Sequence, residues 1–199
     1  MNGNFVQSIT SAIQNKQSLE TSIDPKLINQ NWTAVVNMID SHPEKYIHRE
    51  PNKNRIDLNE LHLRESVLPV VTEMISLLQS ICPDKKITNI AYMGFGKHQS
   101  FPRHKDTMDV LLLQVKGRIN VDVEEKIKTT SFIDEKTGEK EYRSEICSKG
   151  VNRIMVPGDV TYIPRDTYHI ITPLQSRVTY SFGIEDGKDI GLGPKIFDH

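Results

Sequence analysis

The sequence predicts an α+β fold in which helices come first and short strands follow, closing into a sandwich or jelly roll with the helices packed outside. Three observations carry this. Apolar residues recur at helical spacing in the first third of the chain. From residue 85 onward the character changes to short β-prone runs divided by turns. Between these parts there is no low-complexity tract, internal repeat or linker, so residues 1–199 read as one domain. Within it, residues 1–84 form the mainly helical part and 85–199 the jelly-roll core.

Asp24-Pro25 opens the first expected helix, with Asp24 as N-cap and Pro25 at the first helical position. Leu27, Ile28, Trp32, Val35, Val36 and Ile39 form its apolar stripe, and His42-Pro43 stops it. A second helix is expected over 65–81, with Pro69 in its first turn and Val67, Val70, Val71, Met74, Ile75, Leu77 and Leu78 as its stripe. Cys82-Pro83-Asp84 ends it. Strands are expected over 87–95, 110–115, 118–123, 131–133, 142–146, 153–156, 160–163, 169–172 and 177–184, with a hairpin tip at Lys136-Thr137-Gly138. The run from Asp109 to Val115 is almost wholly apolar, as a strand buried on both faces requires.

Lys and Arg total 25 against 26 for Asp and Glu, so no overall charge draws the chain to nucleic acid or to a membrane surface. No apolar run is long enough to span a bilayer, and residues 1–17 lack the basic-then-apolar pattern of a secretory signal. Cys82 and Cys147 are the only cysteines and belong to no CxxC, so a reduced, cytoplasmic setting is expected. Oligomeric state and source organism are not legible.

The chemistry lies in His104-Lys105-Asp106 and, far downstream, His169. On an extended segment His104 and Asp106 leave the same face, being one residue apart. His169 follows a turn at Pro157-Gly158-Asp159, a short apolar strand and a second break at Pro164. Together the three make a two-histidine, one-carboxylate set. Such a set covers one face of an octahedral ion and leaves positions open, as non-heme Fe(II) oxygenases need. His42, His48, His62 and His199 have no partner at ligand spacing and read as bystanders.

The stretches HKDTMDVLLLQVKGR (104–118), VPGDVTYIPRDTYHIITPL (156–174) and TYSFGIE (179–185) resemble the cupin-fold JmjC-type oxygenases, most closely the branch that includes ribosomal-protein hydroxylases. The resemblance spans residues 92–185 and is weaker over 124–152. It implies a double-stranded β-helix, His104, Asp106 and His169 as Fe(II) ligands, 2-oxoglutarate and O2 as co-substrates, and hydroxylation of a substrate C–H bond.

One position departs from that family. Members of the branch usually place Lys or Arg just after the GR turn, against the far carboxylate of 2-oxoglutarate, and here Ile119 stands there. Arg118 should face the opposite side by strand alternation. Arg177, eight residues beyond His169, is the alternative carboxylate partner, because a guanidinium meets a carboxylate bidentately. It also reads as a surface strand cation. Thr179 shares its face, as a hydroxyl donor or as an ordinary β-branched strand residue. Tyr92 and Asn89 are candidates for hydrogen bonds to the keto acid, beside their readings as a core tyrosine and a strand-edge asparagine. Lys97, His98, Arg103 and Arg165 flank the expected mouth, and residues 124–148 form a charged hairpin beside it or a plain protrusion.

Three functions follow. The first is an Fe(II)- and 2-oxoglutarate-dependent oxygenase hydroxylating a C–H bond of a small molecule, an amino acid or a peptide or protein side chain. Ile119 motivates the second, a cupin-type metalloenzyme working without 2-oxoglutarate. The third is a non-catalytic jelly-roll binding or sensing module.

Overall fold

The computed structural model describes residues 1–28, 31–59, 69–99, 101–133 and 140–186. Three helices, α1 (Gly3–Asn15), α2 (Trp32–Ser41) and α3 (Pro69–Ile81), precede or interleave the first strands. The strands are β1 (Leu19–Ser22), β2 (Ile47–Glu50), β3 (Arg55–Asn59), β4 (Lys85–Gly94), β5 (Asp109–Lys116), β6 (Ile119–Val123), β7 (Lys126–Ile133), β8 (Lys140–Ser148), β9 (Val151–Met155), β10 (Asp159–Ile163), β11 (His169–Pro173) and β12 (Arg177–Asp186).

Two antiparallel sheets make the sandwich. The larger has strand order β1-β10-β5-β12-β4-β3-β2 and the smaller β11-β6-β9, while β7 and β8 pair as a separate ribbon. The large sheet is covered on both faces. Ala91, Met93, Leu111, Leu113, Val178, Tyr180 and Phe182 point into the core shared with the helices. Val110, Leu112 and Ile163 point the other way, against Ile119, Val121, Val123 and Met155 of the small sheet. This double coverage is why β5 reads as a continuous apolar run. The expected α+β jelly-roll architecture with helices outside is the one observed.

The N-terminal part differs from the expectation in three ways. First, α1 forms although no helix was expected there. Asn2 caps it by accepting from the Phe5 backbone at 2.8 Å, and Phe5, Ile9, Ala12 and Ile13 bury one stripe. Second, the helix expected at Asp24-Pro25 starts later. Asp24 accepts from the Lys26 N–H, but only a 3-10 turn (Pro25–Ile28) follows, and Asn31 caps α2. The buried residues of this stretch are Ile28, Val35 and Met38, leaving Leu27, Trp32 and Val36 exposed. Third, β1, β2 and β3 lie in the part read as helical and extend the large sheet at both edges. Their alternation is short and interrupted by charges, so the sequence pattern did not reveal them. Residues 65–68 of the second expected helix, the tip at 136–138, His62 and His199 lie outside the described residues.

Candidate metal centre

Between the two sheets lies a pocket lined by residues of both. His104, Asp106 and His169 form one end of it. His104 lies outside the regular strands, but its N–H donates to the His169 carbonyl at 3.1 Å and its carbonyl accepts the His169 N–H at 2.9 Å. The Asp166 N–H adds a third link to the Asp106 carbonyl at 2.9 Å. These backbone bonds bring together ligands 65 residues apart in the chain (104 and 169).

One donor atom from each of the three lies within 4.8 Å of the others. His104 Nε2 stands 3.6 Å from Asp106 Oδ1, and His169 Nε2 stands 3.4 Å from Asp106 Oδ2. Donors held at about 2.1 Å from a common first-row ion, at right angles, are about 3 Å apart, so the three groups would draw in by roughly half an ångström to seat one ion. The tautomers also suit it. His104 Nδ1 is 2.8 Å from the Pro102 carbonyl and His169 Nδ1 is 3.0 Å from the Thr167 carbonyl. A carbonyl only accepts, so each Nδ1 carries the proton and each Nε2 presents its lone pair to the pocket. Burial pushes the His169 imidazole below its ordinary value, which keeps that ring neutral near pH 7.

The opposite wall is polar and comes from the large sheet. Arg177, Thr179 and Ser181 alternate along β12 toward the pocket, with Tyr92 beside them on β4. Arg177 is 3% exposed, and burial pushes its guanidinium down to about 10, well above neutrality, so it is a buried cation. Asp57 is the main charge opposing that fall. Burial raises the Tyr92 hydroxyl, helped by the negative charges of Asp57 and Asp106, so Tyr92 stays a neutral donor. Phe101 packs edge-on against Tyr92, 5.6 Å from the His104 ring and under the Arg55 guanidinium at 4.2 Å. Val110, Leu112 and Ile171 supply the apolar lining.

The structure thus brings His104, Asp106, His169, Arg177, Thr179 and Tyr92 to one pocket. It does not bring Asn89 there. Asn89 is buried on the same face of β4 as Ala91 and Met93, toward the helices, because it lies three positions from Tyr92 and strand faces alternate every residue. Ile119 is buried in the apolar cluster between the sheets, and Arg118 is exposed, as alternation requires. None of the four expected mouth cations lines the pocket. Arg103 pairs with Glu124, Arg165 pairs with Asp186 at 2.7 Å, and Lys97 and His98 are exposed. The residues of 124–148 that are described form the β7–β8 ribbon, whose base hydrogen-bonds beside the ligands through Glu124 N and the Tyr168 carbonyl at 2.9 Å. Sequence reasoning missed Phe101, Ser181, Arg55 and Asp57. Ser181 was reachable by parity with Arg177 and Thr179; Arg55 and Asp57 were hidden by the unrecognised β3.

A sandwich of this topology with a two-histidine, one-carboxylate cluster between its sheets defines a metal-binding jelly-roll class. The JmjC domain family matches residues 62–189, and the chain belongs to that family. Among solved structures the fold is similar to Escherichia coli YcfD, at 16% identity and a TM-score of 0.56, over 93% of this chain and 53% of that one. It is similar at the same identity and TM-score to YcfD, described as a ribosomal oxygenase, in complex with cobalt and 2-oxoglutarate, over 88% of this chain and 50% of that one. At that identity the likeness establishes the fold, and this chain spans about half the length of those structures. No curated protein matches the sequence.

Proposed function

We propose that this chain is an Fe(II)- and 2-oxoglutarate-dependent oxygenase that hydroxylates a C–H bond of a small molecule, an amino acid or a peptide or protein side chain. One observation carries the reading: a ligand set for a single ion and a buried arginine occupy opposite walls of the same pocket. The reported complexes of YcfD with cobalt and 2-oxoglutarate, and with cobalt and succinic acid, support it. Bound Fe(II) supplies O2 activation coupled to conversion of 2-oxoglutarate into succinate and CO2.

The chain's own groups have distinct tasks. His104, Asp106 and His169 hold one face of the ion, Asp106 offsetting part of its charge. Arg177 takes the far carboxylate of the keto acid with charge-assisted hydrogen bonds in a buried site. Tyr92 offers a neutral hydroxyl to the same molecule. Val110, Leu112 and Ile171 keep the floor of the pocket dry, which strengthens each of these contacts. The two free cysteines, Cys82 and Cys147, fit the reducing cytoplasm. Among the described residues no helix is long and apolar enough to cross a membrane.

The test is anaerobic loading with Fe(II), then 2-oxoglutarate and O2, with CO2 release and keto-acid binding both measured. Binding and turnover are expected; absence of both sinks the reading. Ile119 favours a second one, a metalloenzyme acting without 2-oxoglutarate. Arg177→Ala separates them, because it abolishes keto-acid binding only under the first.

A further inference from the structure

Arg177 is a long side chain, and as a carboxylate anchor it selects a ligand only if its guanidinium has one direction. Two buried residues on neighbouring strands, Thr179 and Gln114, supply that direction. Thr179 stands opposite Gln114 across the β12–β5 pair and opposite Tyr92 across the β12–β4 pair. Gln114 is fully buried and absent from the roles assigned above.

The donor sense of this chain is forced. The Lys116 carbonyl can only accept, so the amide nitrogen of Gln114, 2.6 Å away, donates to it. The amide oxygen of Gln114 must then face Thr179, and it accepts the Thr179 hydroxyl at 2.7 Å. With its proton committed, Thr179 Oγ1 presents lone pairs, and Arg177 Nη1 donates to it at 3.3 Å. Thr179 therefore has no proton left for a keto acid. On its other side the arginine stem crosses Gly94, where a side-chain carbon would lie 3.6 Å from both Cγ and Nε. That row continues to Arg55, and the adjacent one to Asp57, the main charge that favours the Arg177 cation.

We propose that Gln114 is a positioning residue which, through Thr179, fixes the direction of the Arg177 guanidinium and so sets the pocket's preference for a keto acid bearing a second carboxylate. This rests on the function proposed above. The relay adds no contact to the ligand; it removes the alternative orientations of the arginine that a monocarboxylate would tolerate.

The experiment measures binding of 2-oxoglutarate and of 2-oxopentanoate, which carries a methyl group in place of the second carboxylate, to Co(II)-loaded protein. Gln114→Leu and Thr179→Val should each weaken 2-oxoglutarate about tenfold, the scale of one lost buried hydrogen bond, and leave 2-oxopentanoate and Co(II) affinity unchanged. The double variant should be no weaker than either single one, because one chain is broken once, and Thr179→Ser should bind like the parent. If Gln114→Leu does not fold, the near-isosteric Thr179→Val decides. Arg177→Ala distinguishes the failures. If it loses 2-oxoglutarate while Gln114→Leu and Thr179→Val keep it, the relay is overturned and the anchor stands. Equal loss of both keto acids overturns the relay as well, by making the role merely structural. If Arg177→Ala binds as well as wild type, the anchor and the relay both fall while keto-acid binding stands, whereas a wild type with neither 2-oxoglutarate binding nor turnover fails the proposed function and takes the relay with it.

Discussion

His104 and His169 face each other through a reciprocal pair of backbone hydrogen bonds, 3.1 and 2.9 Å long, so the same contact that pairs the two segments also aims both imidazoles at one point. Neither ring is placed by its own chain segment alone. Each is turned by a hydrogen bond to the carbonyl two residues before it.

That arrangement should make metal binding stabilising. A divalent ion at about a hundred times its dissociation constant adds about 2.7 kcal/mol to the folded state. Thermal melts with Co(II), and again after chelation, should show a rise in Tm that His169→Ala abolishes. A His169→Ala protein still stabilised by the ion would place the metal elsewhere.

Asp57 gives a pH signature. Burial raises its carboxyl from 3.8 to about 6, against the lowering pull of Arg55. Between those values the folded state holds more protons than the unfolded chain, so this residue's stabilising contribution is complete below pH 3.8 and is lost as pH rises through 6. The loss is about 3 kcal/mol. Asp57→Asn lacks the titration, so urea unfolding at pH 4 and at pH 7 should show the variant gaining on the parent by roughly that amount. Parallel curves would mean that Asp57 is not a buried titrating group.

The β5–β6 turn should be intolerant of any side chain. Gly117 has φ 73°, and an added carbon would sit 2.1 Å from the Ser176 carbonyl oxygen. Gly117→Ala should cost about 3 kcal/mol in urea unfolding. Gly3→Ala, which meets nothing within 4 Å in α1, should be neutral or stabilise by about 0.5 kcal/mol. Equal effects would contradict the close crossing at residue 176.

Packing of the centre of the large sheet predicts one further number. Leu113 is fully buried among the helices, and Leu113→Ala should cost about 2–5 kcal/mol by denaturant titration. A loss below 1 kcal/mol would mean that the helices do not cover this face.

What local pattern encodes was readable from residues alone. The continuous apolar run of β5 announced a strand covered on both faces, the change of period near residue 85 announced the passage from helices to sheets, and His104, Asp106 and His169 announced a ligand set by side-chain type and order. The strands after residue 85 were legible because runs of β-branched and apolar residues are bounded by turn residues there. The strands β1 to β3 were not, since four or five residues that include charged ones carry almost no periodic signal.

Tertiary structure alone decided which neighbours meet. Alternation fixes the face of a residue relative to its own strand, but only pairing register says what lies across from it. Parity alone puts Asn89 and Tyr92 on opposite faces of β4, but only the closed sandwich shows which face carries the pocket. Thr179 looked like a free hydroxyl until its register with Gln114 committed its proton. Arg55 and Asp57 entered the site's surroundings through a strand the sequence did not disclose. Short-range sterics write face and period into the chain, whereas contacts between residues far apart in sequence exist only once the sheets have closed.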